Sequence, residues 1–390
     1  MRHLKVKNLD VEANLRLLRD RGWLAQGMRV FPHEDGQHRL IPLDPGAPVL
    51  IPKPFDIHEI LLHEGLLDTR TDSDWWNHLA NLVGGDVVES FGDSWPSSHE
   101  FIADMMVVRI EESLEAFSSQ IAEAKLRAHP HIRLVLNDEG VQGELRIRKL
   151  SPIGARLDGD IVTRDIPEEV SSTRVMVRES GRAILCDPNK AYFSTKLQSE
   201  RLETLSLAKE LRSLLNRPLR VCDPFCGVGP ALSTLLSEPG LVGDVLASDL
   251  NPDAVEMLLD NLRRWDNRNY PKKPIPISRI FDDRFVGVAD ATLICENPVL
   301  LGRWDLLIVN LPHRTIDLLP SLVPLLDRTS PSMIRGRVIA SESEIEKANS
   351  ALRETLPPTY DGKEDPKLRI KRDYSSILRL CSFQAWIAPE

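Results

Sequence analysis

The chain has 390 residues, a formal net charge of −9 at pH 7 and 42% hydrophobic residues. No run approaches the roughly 18 unbroken apolar residues of a membrane span, and the first ten residues lack an apolar signal core. The negative net charge disfavours a protein that binds polyanions indiscriminately. The chain is longer than one ordinary domain, so we expect a cytoplasmic protein of two or three domains.

The five cysteines contain no C-x-x-C pair, which indicates a reducing compartment and argues against a structural zinc site. We expect no bound metal. Cys222 and Cys226 flank a turn and are interpreted as packing residues.

Residues 1–50 have the pattern of a small α/β unit. A strand at HLKV precedes a helix across VEANLRLLRDRG, and the extended stretches MRVFP and HRLIPL follow. The helix residues predicted to face inward are Leu15, Leu17 and Leu18. Its outward arginines, such as Arg16 and Arg19, fit either a solvated face or a surface that contacts phosphates.

The rest of the chain divides into three predicted segments. A proline-rich stretch, DPGAPVLIPKPF, leads into residues 51–84, which we predict to be a linker or insert. Residues 85–196 alternate apolar strands with one long helix, EESLEAFSSQIAEAKLRAH, as in an α+β domain. Residues 197–390 alternate helix and strand, which predicts an α/β fold with a doubly wound parallel sheet.

A glycine turn begins this last segment. PLRVCDPFCGVGPALSTLL contains a buried strand over residues 219–222, then Asp223, then Gly227 and Gly229, and a helix that starts near Ala231. Glycines at the carboxyl edge of a parallel strand let the backbone approach a ligand closely. The turn therefore predicts a cofactor site.

The next strand sharpens that prediction. In DVLASDLNPDAVEMLLDNL, Asp249 ends the strand, where its carboxylate can accept hydrogen bonds from both hydroxyls of a ribose, and Asn251 caps the following helix. A dinucleotide site requires a third glycine where this chain has Leu232. Asp223, Asp249 and a third acid, Asp290, instead resemble the S-adenosylmethionine pocket of class I methyltransferases.

A later strand, within RWDLLIVNLPHRT, delivers Asn310-Leu311-Pro312 to the cleft edge. Many amino-group methyltransferases have Asn-Pro-Pro-aromatic at this place. Because both the second adjacent proline and the aromatic residue are missing here, a ring nitrogen fits better than an amine as the methylated atom.

Four stretches together resemble the archaeal and eukaryotic tRNA guanine-37 N1-methyltransferases. These are DPFCGVGP, SDLNPDAVEML, VNLP and the upstream VRESGRAILCDPNKAYFSTKLQSER. The resemblance implies a class I methyltransferase domain over residues 197–390, preceded by two smaller α+β domains. It also implies S-adenosyl-L-methionine as cofactor, and a monomer that binds the anticodon stem-loop and outer corner of tRNA.

The resemblance also implies roles for single residues. Glu200 corresponds to the general base that removes the N1 proton, and Arg146 to the donor that stabilises negative charge on O6, with Arg148 as its competitor. Asn310 and Pro312 would hold the base edge. The substrate contacts implied are Tyr192, Lys196 and Arg148. The cofactor contacts implied are Asp223, Phe225, Gly227, Val228, Gly229, Pro230, Asp249, Leu250, Asn251, Asp290 and Asn310.

Four residues depart from the family pattern, and three other functions stay open. Thr195-Lys196 stand where Pro-Arg is usual, Cys226 replaces alanine, and His313 follows Asn-Leu-Pro. One alternative is the aminocarboxypropyl transfer of wybutosine-type tRNA modification, which the context of Glu200 opposes. The others are a non-catalytic tRNA-binding homologue and methylation of an rRNA or DNA amine.

Overall fold

The computed structural model describes residues 1–25, 27–66, 68, 74–143, 145, 147–375 and 377–390. In these residues the α-helices are α1 (Val11–Asp20), α2 (Trp75–Val83), α3 (Gly85–Phe91), α4 (Ser118–Ala128), α5 (Glu168–Ser171), α6 (Gln198–Leu215), α7 (Pro230–Leu236), α8 (Pro252–Asp266), α9 (Thr315–Leu322) and α10 (Ile345–Thr355). The strands are β1 (Arg2–Lys7), β2 (Phe31–Pro32), β3 (His38–Pro42), β4 (Glu59–Leu62), β5 (Glu100–Ile102), β6 (Met105–Val108), β7 (Leu134–Gln142), β8 (Ile147–Leu157), β9 (Asp160–Val162), β10 (Val175–Glu179), β11 (Arg182–Cys186), β12 (Leu219–Asp223), β13 (Val242–Asp249), β14 (Ser278–Phe281), β15 (Arg284–Val288), β16 (Leu306–Val309), β17 (Ser332–Ser341), β18 (Arg369–Asp373) and β19 (Leu378–Ile387).

The chain forms two compact units whose segments alternate along the sequence. The first unit comprises Met1–Ser97, Ile110–Val135 and Pro152–Val170. The second unit comprises Ser98–Arg109, Leu136–Ser151 and Ser171–Glu390. Residues of the predicted middle domain, 85–196, occur in both units, and the four-segment division stays a prediction.

The first unit contains an antiparallel sheet with the strand order β2-β3-β1-β4. Leu4 and Val6 of β1 are fully buried against Leu18 of α1. Leu17 was predicted to face inward, but it is 38% exposed, because the rotation of 100° per residue places it beside the buried stripe. Strand β4 lies within residues 51–84, so part of the predicted linker belongs to this sheet.

The long helix predicted before β7 is shorter than expected. Its first residues form a 3₁₀ helix, Glu112–Phe117, and the α-helix begins at Ser118. The apolar stretches predicted as strands on either side of it are present as β6, β7, β8 and β10.

The second unit contains an eight-stranded sheet with the order β14-β15-β13-β12-β16-β17-β19-β18. Five neighbouring strands, from β15 to β17 in this order, are parallel. Strand β14 pairs antiparallel with β15 at one edge, and β19 and then β18 add antiparallel pairings at the other. All four residues of β16 are buried, as expected for a parallel strand covered on both faces. The structure therefore confirms the predicted doubly wound α/β fold and adds antiparallel strands at both edges.

Helices cover both faces of this sheet. On β12, Val221 packs into the core shared with α6, α7 and α8, whereas Cys222 packs into the core shared with α9, because successive strand residues point to opposite faces. The strand order reverses between β12 and β16. Sheets of this kind bind ligands beyond the carboxyl ends of the strands at such a reversal.

No helix in the described part of the chain has both the length and the hydrophobicity that a membrane crossing requires.

Candidate active site at the carboxyl edge of the sheet

A cavity of about 600 Å³ opens in the second unit at the carboxyl ends of its parallel strands. Its volume falls within the range of about 300–1,000 Å³ that small-molecule sites occupy. Phe225 and Gly227 contribute to its wall from the turn after β12, Asp249 from the end of β13, and Asn310 from the end of β16. The structure thus brings the separate motifs of residues 197–390 to one site.

The two glycines of the turn serve different purposes. Gly227 has φ 54° and Gly229 has φ 86°, a backbone region that side chains disfavour. The Gly227 N–H donates to Asp249 Oδ2 at 2.8 Å. A Cβ atom at Gly229 would lie 2.7 Å from Leu258 Cδ1, so this glycine permits close packing on α8.

Asp249 is held by the backbone at both oxygens. Oδ2 accepts from Gly227, and Oδ1 accepts from the Asn251 N–H at 2.9 Å. Burial raises the pKa of this carboxyl, and the N–H groups oppose the shift. Each carboxylate oxygen keeps a second lone pair, so Asp249 can still accept hydroxyl donors.

Asn251 caps α8 as the sequence predicts. Its Oδ1 accepts from the Asp253 N–H at 3.0 Å, and Pro252 is the first residue of the helix. Its Nδ2 donates to the Lys190 carbonyl at 2.6 Å. The cap therefore ties the start of α8, beside the cavity, to the segment before α6.

Asp223 is the most deeply buried acid of the site. It is 2% exposed, and within the described residues its Oδ1 has no hydrogen-bond partner. Burial raises its pKa to about 7, with a further contribution from Asp249, against the opposing Phe225 N–H. It lines a smaller cavity of about 30 Å³ that shares Phe225 and Asn310 with the larger one. An unpaired buried oxygen suits a ligand group that donates hydrogen bonds.

The Asn-Leu-Pro turn is anchored to β17. Asn310 Oδ1 accepts from Arg337 Nη1 at 2.6 Å, and the Pro312 carbonyl accepts from the Ile339 N–H at 3.0 Å. Asn310 and Pro312 both line the cavity. Asp290 lines it too, and its Oδ1 accepts from the Thr292 N–H at 2.9 Å.

Glu200 lies in the first turn of α6 and is 4% exposed. Its Oε2 accepts from Arg337 Nε at 2.7 Å. Glu200 is not among the described residues that line the cavity, but its partner Arg337 and its neighbour Arg201 are. The carboxylate is therefore connected to the cavity wall through Arg337.

The stretch before α6 is fixed by a buried polar network. Arg201 Nη2 donates to Glu179 Oε2 at 2.6 Å and to the Ser194 carbonyl at 3.1 Å. The Ser194 hydroxyl donates to Glu100 Oε1 at 2.7 Å. Tyr192 lines the cavity with 45% of its surface exposed, while Lys196 is exposed and is not among the lining residues.

Arg148 and Arg146 are the two candidates for the donor to O6. Arg148 is 8% exposed, and it donates to Glu100 Oε2 at 3.0 Å and to Asp138 Oδ2 at 2.8 Å. It is not among the residues that line the cavity. Arg146 lies outside the described residues, so its role stays a prediction.

Several predicted cofactor contacts line the cavity and others lie behind it. Those on its wall are Phe225, Gly227, Pro230, Asp249, Leu250, Asn251, Asp290 and Asn310. Val228 is fully buried in the turn and, like Gly229, is not on the wall. Cys222 and Cys226 are buried, and burial raises the pKa of both thiols. The described residues contain no cluster of acidic, histidine or cysteine side chains suited to a metal ion.

Arg337 and Arg201 were not among the site residues predicted from the sequence. In MIRGRVIAS, Arg335 and Arg337 alternate within an otherwise apolar strand, which places both on one face of β17. Two charges on the same face of a central strand require buried partners. The alternation of these two arginines in an apolar strand was therefore the feature of the sequence that could have identified Arg337.

Parts of the chain match two family models and several named proteins. The family model described as the TRM5/TYW2 methyltransferase domain matches residues 175–273, and the one described as the TYW2 N-terminal domain matches residues 79–154. The tRNA (guanine(37)-N(1))-methyltransferase Trm5b of Pyrococcus abyssi is 30% identical over 169 residues, which are 43% of this chain and 44% of that protein. The tRNA (guanine(37)-N(1))-methyltransferase 2 of Phaeodactylum tricornutum is 27% identical over 235 residues, 59% of this chain and 36% of that protein. The matched regions thus span less than half of each of these two relatives.

The fold has a counterpart among solved structures. The complex structure of aTrm5 and tRNALeu superposes with a TM-score of 0.68 at 17% identity, over 99% of each chain. At this identity the likeness establishes the fold. The chain therefore has the fold of a class I methyltransferase, and its residues 175–273 match the TRM5/TYW2 methyltransferase domain.

Proposed function

We propose that the chain transfers a methyl group from S-adenosylmethionine to N1 of guanosine 37 in the anticodon loop of tRNA. The observation that supports this most directly is the convergence of Asp249, the Gly227 turn and Asn310-Leu311-Pro312 on one cavity. The curated relatives reported above carry the name of this activity. The target, the cofactor and the tRNA partner are parts of the proposal.

The residues present fit the cofactor. Asp249 has lone pairs for the two ribose hydroxyls, and Phe225 and Leu250 give the wall apolar surface. The orphaned Oδ1 of Asp223 suits the amino group of the methionine part. When bound, S-adenosylmethionine supplies an electrophilic methyl group on a sulfonium sulfur.

The proposed chemistry requires the guanine to lose its N1 proton. Glu200 takes this proton as the bond from N1 to the methyl carbon forms and the carbon–sulfur bond breaks, with S-adenosylhomocysteine as the second product. Arg337 uses only Oε2 of Glu200, and Oε1 has no hydrogen bond within the described part of the chain. Arg146 is proposed to donate to O6, where negative charge develops.

The direct test uses cofactor with a labelled methyl group and two tRNA transcripts, with G or A at position 37. We expect label only in the G37 transcript, as 1-methylguanosine after digestion to nucleosides. Label in both transcripts, or label on an exocyclic amine, contradicts the proposed target. Cofactor binding without any transfer supports a non-catalytic tRNA-binding protein instead.

The Glu200→Gln variant tests the proposed base. Glutamine keeps the shape of the side chain but cannot take the proton, so we expect turnover to fall by about 10²–10⁴-fold, while cofactor affinity measured by calorimetry stays unchanged. Glu203→Gln, one helical turn further along α6, breaks a salt bridge to Arg335 and serves as the control. Equal losses in both variants contradict the role of Glu200.

Aminocarboxypropyl transfer is the second candidate, because residues 79–154 match the TYW2 N-terminal domain. The two reactions break different carbon–sulfur bonds of the same cofactor. Methyl transfer leaves S-adenosylhomocysteine, and aminocarboxypropyl transfer leaves methylthioadenosine. Chromatography of the small products identifies which reaction occurs, and methylthioadenosine as the only product contradicts our first proposal.

A further inference from the structure

Arg337 lies at the point where the sheet meets the cavity. In the parallel pair of β16 and β17, Val309 is opposite Gly336, so Arg337 follows directly beyond the paired end of β16. Its side chain is 14% exposed and lines both the larger and the smaller cavity. A charged group at this depth requires partners.

Those partners are the two proposed active-site side chains nearest to it. Nε of Arg337 donates to Glu200 Oε2 at 2.7 Å, and Nη1 donates to Asn310 Oδ1 at 2.6 Å. Glu200 and Asn310 are 110 residues apart in the sequence and belong to α6 and to the turn after β16. One rigid, planar guanidinium therefore fixes one oxygen of each.

A neighbouring contact shows that this arrangement is more than a general link between β17 and α6. Arg335, two residues earlier, donates to Glu203 Oε2 at 2.7 Å and to Gln384 Oε1 at 3.2 Å. Both contacts have the same strand-to-helix geometry, but only Arg337 also holds the Asn-Leu-Pro turn. The Arg335 contact therefore provides an internal comparison.

The contact with Arg337 also sets the orientation of the Asn310 amide. Because a guanidinium can only donate hydrogen bonds, the atom of Asn310 that faces it is the oxygen. The amide nitrogen, which has no hydrogen bond within the described residues, is left to donate. A donor on the cavity wall suits a base with an acceptor on that edge, as guanine has at O6.

We propose that Arg337 is a positioning residue of the methyl transfer, which holds the Glu200 carboxylate and the Asn310 amide in the geometry that the reacting base requires. This inference rests on the proposed function. Loss of Arg337 leaves both groups present but free to rotate. Misplacement of a reacting group by about 1 Å typically costs about 100-fold in rate.

The test compares Arg337→Met, Arg337→Lys and the control Glu203→Gln with the wild-type chain. Crystal structures of each give the positions of Glu200 and Asn310, and steady-state methyl transfer to the G37 transcript gives kcat and KM. In Arg337→Met we expect both side chains displaced and kcat about 100-fold lower, with KM for the cofactor unchanged. Arg337→Lys keeps the positive charge but lacks the planar group that donates to both oxygens. We therefore expect its kcat to lie between those of Arg337→Met and the wild-type chain. Glu203→Gln keeps wild-type kcat.

Two results overturn the inference. One is Glu200 and Asn310 at their wild-type positions in Arg337→Met, and the other is a kcat loss no larger than in Glu203→Gln. If the wild-type chain transfers nothing to the G37 transcript, the proposed function fails, and the crystal structures alone decide whether Arg337 positions the two groups.

Discussion

Asp223 has an environment that should make the stability of the ligand-free protein depend on pH. Its pKa is raised from 3.8 to about 7, chiefly by burial. Between these values the unfolded chain has lost the proton and the folded chain still holds it. The stability contributed by this group therefore falls as the pH rises from about 4 to about 7, and stays constant above that.

The Asp223→Asn variant should remove this dependence. Asparagine is close in shape to aspartate and stays neutral at every pH. We therefore expect the unfolding temperature of the variant to exceed that of the wild-type chain by more at pH 8 than at pH 5. Thermal unfolding of both proteins at the two pH values measures the difference. A gain that is equal at both pH values shows that Asp223 does not hold a proton in the folded state.

At the scale of elements, Gly229 connects the glycine turn with helix α8. A side chain there meets two obstacles, because φ is 86° and a Cβ atom would lie 2.7 Å from Leu258 Cδ1. The backbone term costs about 1–2 kcal/mol, and the overpacking typically costs another 1–3 kcal/mol. Gly229→Ala should therefore lower the unfolding temperature clearly.

A matched variant separates the two terms. Gly240 also has a positive φ, of 67°, but the nearest atom to its Cβ position is Arg212 Nη2 at 3.8 Å. Gly240→Ala should thus lose stability only through the unfavourable backbone conformation. Equal shifts of the unfolding temperature in the two variants show that contact with Leu258 is not what requires glycine at 229.

The elements of the parallel sheet were predictable because their signals are local. The buried run at β16, the cap at Asn251 and the glycine turn after β12 each lie within a few neighbouring residues. The sequence therefore predicts where each motif stands, and strand order then brings them to one edge.

The partners of these side chains were not predictable, because they lie far away in the sequence. Arg337 contacts Glu200 across 137 residues, and Arg148 contacts Glu100 across 48. Strand alternation gives the face on which Arg148 lies but not which carboxylate it meets. Contacts of this kind depend on tertiary packing, which local periodicity does not encode.

At the scale of the whole molecule, the net charge of −9 sets a condition on the proposed binding of tRNA. The folded tRNA is a polyanion, so an acidic protein must contact it through local basic surface, not through its overall charge. Arg16 and Arg19 are exposed on α1 of the first unit, and they are our proposed phosphate contacts. Each neutralised phosphate releases counterions, and binding therefore weakens as salt increases.

We expect the affinity for tRNA to fall between 50 and 200 mM salt, as counterion release requires. Arg16→Gln should reduce the slope of log affinity against log salt by about one unit, since one phosphate contact is lost. Lys347→Gln, at an exposed position of α10 in the second unit, changes the net charge by the same amount and should leave the slope unchanged. Fluorescence titration of a labelled transcript at four salt concentrations measures both slopes. Equal slopes in the two variants and the wild-type chain show that α1 does not contact the tRNA backbone, and an affinity independent of salt contradicts the proposal of a tRNA partner.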